Sequence, residues 1–243
     1  MDKLRKIVSD RRWEHISEPL KVFDGRLKDM ILLLSSIISS KKKEDSVSLE
    51  ARKQYLVMLV SCYETYLRDS FKEVITNNLV DISKIMEIKK LKDVKFSIPE
   101  VEYIRSNEIN LSELLAEYIN FQNFEEIFGI FSSWGFEKEL DKILSSKDDI
   151  MPLPDEDFMK KAPDAGEFII EFFKGITIHK SMMDKSYMIS KIQLLLDVRH
   201  KIVHKNIDVF ISQEDILELT LAVYEFVIAV ERFTQFLKQI KSP

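Results

Sequence analysis

A chain of 243 residues admits one large domain or two small ones, and 45% hydrophobic with 32% charged residues is the balance of a folded protein, not a disordered one. Its formal net charge of −5 excludes a strongly basic domain that grips duplex DNA through overall charge, though a local basic site remains compatible with it. Only 5 glycines and 6 prolines punctuate the chain, so long helices with few connections are expected rather than many short strands.

Residues 1–15, MDKLRKIVSDRRWEH, are basic but hold no continuous apolar run of signal-peptide length. Residues 18–40 have the helical period, with Leu20, Phe23, Leu27, Met30, Leu34 and Ile37 three or four apart. The most apolar stretch, MILLLSSII at 30–38, is too short to span a bilayer. The polar run at 39–46 reads as a turn or exposed loop. A helix of about 30 residues follows, spaced by Leu56, Leu59, Tyr63, Tyr66, Leu67, Phe71 and Val74. Both of its faces are apolar near the middle, which predicts a central position. The only cysteine, Cys62, lies in this pattern and reads as a buried structural thiol rather than a nucleophile. A cytoplasmic protein of a reducing compartment, without membrane contact, is expected.

From 81 to 180 the periodicity is less regular. KKLKDVKFSIPE carries Pro99 and reads as a link between helices. NLSELLAEYINFQNFEEIFGIF predicts a helix, a break at Asn120–Asn123 and a second short helix. SSKDDIMPLPDED at 145–157 has the composition of a linker, and Asp164 with Glu167 has capping-box spacing. Ser181 and Asp184 suggest a cap ahead of a helix reaching about residue 205. NIDVFIS then connects to a final helix opened by Ser212 and Asp215 and spaced by Ile216, Leu219, Val223, Val227, Val230, Phe233, Leu237 and Ile240. The expected architecture is one all-α domain over 1–243: a four-helix bundle core from about 18–80 and 181–240, with an inserted set of short helices at about 81–180.

The end of the penultimate helix, LLLDVRHKIVHKN at 194–206, holds two of the four histidines. His200 and His204 share one face, and Arg199 is roughly 140° around an ideal helix from His204. Ile202, Val203, Leu194, Leu195 and Val198 are expected on the buried side. Three readings follow. A metal clip needs a third ligand, HExxH is absent, and Lys201 opposes a divalent cation. A cationic helix end would complement the macrodipole. A catalytic cluster needs only the two residue types present: a histidine can move the proton of an RNA 2′-hydroxyl while an arginine holds the phosphate, with no metal or other cofactor. One such cluster is thin for both acid and base, so a homodimer joining two across a two-fold axis would complete it.

RHKIVH at 199–204 resembles the R-x4-H motif of the HEPN superfamily. It ends a helix that precedes a short connection and a long apolar helix, and YLVMLVSCYETYLRDSF upstream is similar to the superfamily's long helix with an acidic residue among aromatics. The resemblance implies an all-α bundle, a homodimer with the active site at its interface, and, for active members, metal-independent endoribonuclease activity on RNA. It also implies service in toxin–antitoxin, abortive-infection or antiphage defence, with an antitoxin or sensor protein as a further partner. Arg199 matches the motif arginine, His204 the motif histidine and His200 the polar position, with Glu64 in the acidic place. Arg68 would add to an RNA surface or pair with Glu64 one turn away. Asn206 stands where members paired with a nucleotidyltransferase antitoxin carry tyrosine. The alternative is a non-catalytic helical module that binds RNA, a nucleotide or a protein.

Overall fold

The computed structural model describes residues 1–10, 18–39, 46–145, 160, 169–175, 184–205 and 209–241, and no strand occurs among them. In chain order the helices are α1 (Asp2–Asp10), α2 (Pro19–Ser39), α3 (Ser46–Thr76), α4 (Ile82–Met86), α5 (Lys89–Lys92) and α6 (Ile98–Ser106). They continue with α7 (Leu111–Ala116), α8 (Phe124–Ser133), α9 (Phe136–Ser145), α10 (Lys185–His204) and α11 (Gln213–Lys241), with a further helical turn at 169–175. The fold is all-α.

Helix α3 is central because a broad apolar face runs through its middle turns, opposite a polar strip of Ser61, Glu64, Thr65 and Arg68. Leu56, Leu59, Val60, Tyr63 and Leu67 are completely shielded from solvent, and the helix packs against α2, α7, α10 and α11. Antiparallel packing on α2 is fixed by an edge-on contact of Phe23 with Tyr66 at 5.7 Å and by Cys62 Sγ at 3.5 Å from Met30 Sδ. Burial pushes the Cys62 thiol up, as suits a packed thiol and not a nucleophile. Tyr55 meets Thr220 at 2.9 Å, and the Tyr66 hydroxyl donates to the Val227 carbonyl at 3.0 Å, so α3 and α11 run parallel.

Helix α11 is enclosed on all sides rather than along one stripe. Leu221, Ala222 and Val223 are all fully buried, as are Phe226, Val227 and Val230, which is how an interior helix differs from a surface one. Helix α9 covers α11 as well, with Phe136 packed against Phe226 at 5.6 Å and Phe233 at 5.5 Å. Helices α8 and α9 therefore share one buried cluster with the four long helices. Gly135, with φ of +108°, makes the turn between them in a conformation that a side chain would strain.

Several boundaries differ from expectation. Pro99 lies in the first turn of α6, behind a Ser97–Glu100 capping box, because a helix start tolerates a missing N–H. Asp184 is itself the cap of α10, its carboxylate accepting from the Tyr187 N–H at 2.7 Å. Ser181, the 40–45 loop, most of the proline-rich 145–157 run and the Asp164/Glu167 pair lie outside the described residues. Ser212 and Asp215 do form the cap of α11, at 3.0 Å and 2.8 Å. Ile240 is 63% exposed, since the last turn of α11 outruns its neighbours. Helix α1 was not foreseen. Its Leu4 and Ile7 pack with Ile109 and Leu114 in a small second cluster, and Lys6 pairs with Glu117 at 2.9 Å.

Truncating Phe136 to alanine tests the join between the middle helices and the long ones. The loss should be about 3–5 kcal/mol, the usual cost of deleting a buried ring. Urea denaturation followed by circular dichroism should show one shifted transition; two separate transitions would mean that α8 and α9 fold independently.

Candidate functional site

Helix α10 is rotationally fixed by Met188, Ile192, Leu195 and Val198, all buried. That leaves Arg199 half-buried at a rim and turns His200 and His204 outward. Ile202 is half-buried, but Leu194 and Val203 are 42% and 45% exposed, contrary to the expected buried side: Leu194 lies off the buried stripe of α10, and Val203 is in its projecting last turn. Lys201 pairs with Asp197 at 2.7 Å one turn back, while Arg199, His200, His204 and Lys205 leave cationic or basic groups at the negative end of the helix dipole.

The long side chain of Arg199 overcomes its angular offset and reaches His204, with Nη1 at 3.1 Å from Nε2. A guanidinium has only donors, so Nε2 accepts in this contact, in the tautomer that carries the ring proton on Nδ1. The ring centroids of His200 and His204 are 5.0 Å apart. Among the described residues no three His, Cys, Asp or Glu side chains cluster closely enough to hold one metal ion.

Glu64 belongs to the same cluster, but it joins through a residue that sequence reasoning missed. Gln122 donates from Nε2 to Glu64 Oε2 at 3.1 Å and accepts at Oε1 from Arg199 Nη1 at 3.4 Å. The only sequence signal for Gln122 was the polar break at Asn120–Asn123 between two apolar helices. That break folds into a loop, with the Gln122 N–H bonded to Asn120 Oδ1 at 3.1 Å and the Glu126 N–H to Asn123 Oδ1 at 3.0 Å. Arg68 does not bond Glu64: it pairs with Glu117 at 3.4 Å and lies over the Phe121 ring at 5.6 Å.

These groups rim a cleft of about 440 Å³, within the size range of small-molecule sites. One wall is α3 and α10, with Glu64, Gln193, Leu196, Arg199 and His200; the other is the 120–125 loop and the start of α8. Burial pushes the Glu64 carboxyl above its ordinary range, only partly offset by the Gln122 hydrogen bond and by the charges of Arg199 and Arg68. Glu64 Oε1 and Arg199 Nε are buried polar atoms with no partner, a costly state that a bound ligand can relieve.

The raised carboxyl pKa has a measurable sign. Ionised Glu64 is disfavoured in the folded chain, so its contribution to stability falls as pH rises through the carboxylate range. Glu64→Gln should therefore gain stability relative to wild type between about pH 4 and pH 7, read as a growing difference in urea midpoint. A constant difference across that window would contradict the burial effect.

Residues 23–235 match the family described as RiboL-PSP-HEPN. No curated protein and no solved structure matches the chain. Because the matched span runs from the first turns of α2 to the last turns of α11 and takes in the middle helices as well as the motif, the chain belongs to the RiboL-PSP-HEPN family.

Proposed function

We propose that the protein is a metal-independent endoribonuclease of HEPN type. The observation that carries this reading is the 3.1 Å contact of Arg199 Nη1 with Nε2 of His204, Arg199 itself lining a polar cleft. A guanidinium beside an imidazole suits RNA cleavage by its own 2′-hydroxyl.

A phosphodiester entering at Arg199 takes the guanidinium's hydrogen bonds, and the His204 Nε2 lone pair then faces the adjacent 2′-hydroxyl. His204 accepts that proton as the oxygen attacks phosphorus, and Arg199 stabilises the charge gathering on the phosphoryl oxygens. The bond to the 5′-oxygen breaks, leaving a 2′,3′-cyclic phosphate and a 5′-hydroxyl. A second histidine supplies the leaving oxygen's proton, and a homodimer brings that group from the other chain. Exposed Val203 and Phe210, the latter 72% exposed, offer apolar surface beside the motif for such a pairing. His200 supports the phosphate from the same face, and Glu64, acting through Gln122, holds Arg199 in place. The biological setting that fits is toxin–antitoxin, abortive-infection or antiphage defence in the cytoplasm, under control of an antitoxin or sensor protein. Among the described residues no helix is long and apolar enough to cross a membrane.

Single-stranded RNA incubated with the purified chain in EDTA should yield cyclic-phosphate ends. His204→Ala should lower the rate by about 10²–10⁴, the usual contribution of a general base. Arg199→Ala should lower it comparably, and His200→Ala less. Cutting that survives His204→Ala would overturn the mechanism. RNA binding without any cutting by wild type would favour the non-catalytic module.

A further inference from the structure

The cleft beside Arg199 is poorly suited to hold phosphate along its whole length. Its basic groups, Arg199 and His200, lie together, whereas Glu64 and Glu125 are carboxylates that repel a polyanion. The rest of the polar lining is uncharged: Asn120, Gln122, Asn123 and Gln193. Such a wall suits the part of a nucleotide that is planar, uncharged and polar only at its edge, which is the base. Half-buried Leu196 supplies an apolar surface for the base face.

We infer that this cleft binds the base of a guanine nucleotide, with the Glu64 carboxylate accepting from N1–H and N2–H of its Watson–Crick edge. The substrate phosphate then lies at Arg199, so the inference rests on the nuclease reading above and gives it a base preference. Guanine is the only standard base with two adjacent N–H donors on that edge; adenine, cytosine and uracil each place an acceptor beside the donor. Glu64 Oε1 is the buried acceptor without a donor, and Oε2, which already accepts from Gln122, has a second lone pair. The Oδ1 atoms of Asn120 and Asn123 are engaged by backbone N–H groups, which leaves their Nδ2 donors to meet guanine O6 and N7. Burial disfavours the ionised Glu64 of the empty cleft, and two N–H donors would offset that cost. Oε1 is shielded from solvent in the free chain, so engagement needs a small displacement. Gln122 is placed to make it, being exposed and held by contacts of 3.1 and 3.4 Å.

The test separates this inference from the nuclease reading. His204→Ala chains, which retain every group lining the cleft, are titrated with short single-stranded RNAs that differ at one base and with the four nucleoside monophosphates, while wild type is used to map cut sites. Guanine-containing RNA should bind about 10- to 100-fold tighter than its adenine, cytosine and uracil counterparts, the range for one bidentate base contact. Inosine in place of guanosine, which lacks the N2 donor, should lose most of that margin, and this arm needs no further protein variant. Adding Glu64→Gln should abolish the discrimination. Equal binding of all four bases, or of inosine and guanosine, overturns the inference even if wild type cuts RNA. Guanine preference without cleavage sustains it and removes the nuclease reading. Guanosine monophosphate binding as tightly as the RNA sustains the guanine site and identifies its occupant as a free nucleotide.

Discussion

Helix α3 buries a broad face of its middle turns, with Leu59, Val60, Tyr63 and Leu67 all shielded and α2, α7, α10 and α11 packed around them. Close-packed interiors do not allow such a helix to rotate or slide without opening a void. Val60 and Glu64, one turn apart, are thereby set in the cleft wall. Helix α10 packs on this same surface, and its buried stripe fixes where Arg199 emerges. The relation between Glu64 and Arg199, residues 64 and 199 of the chain, thus depends on core packing rather than on any strong bond between them.

The polar contacts at the site are weak by comparison. Links of 3.1 and 3.4 Å through one exposed glutamine do not lock a guanidinium. They hold it near the imidazole while leaving it exchangeable for a stronger acceptor such as a phosphate oxygen. In the contact with His204, Nε2 is the acceptor, since a guanidinium offers only donors. A ligand that draws Arg199 away leaves the imidazole lone pair exposed at the mouth of the cleft.

Much of this was legible in the sequence. The strong 3.6-residue patterns of α2, α3 and α11, the Ser212–Asp215 cap and the central place of α3 all came from local spacing. The cluster of Arg199 with His204 was readable because both lie on one helix end. Gln122 was not, because its link to Glu64 and Arg199 joins positions 58 and 77 residues apart, and no local pattern encodes that. Leu194 and Val203 differ from the expected burial for a related reason: periodicity identifies apolar residues but not which of them the neighbouring helices cover. Helix α1, nine residues long, is too short for the spacing of Leu4, Ile7 and Val8 to mark a helix by itself. Arg68 reads from the sequence as part of an RNA surface or as a partner of Glu64, whereas a carboxylate from beyond α7, Glu117, is what it pairs with.

Arg52 has a role that its position in α3 conceals. It is 6% exposed, and its Nη1 donates to the Ile211 carbonyl at 3.0 Å, while Ile211 itself is buried in the core. Ile211 is thus anchored two residues before α11 begins, with Phe210 presented outward beside that anchor. Ordering a contact residue normally costs conformational entropy when a partner arrives. The backbone beside Phe210 is held during folding, so a surface that meets this side chain encounters a position already set, and more of the contact energy remains as affinity.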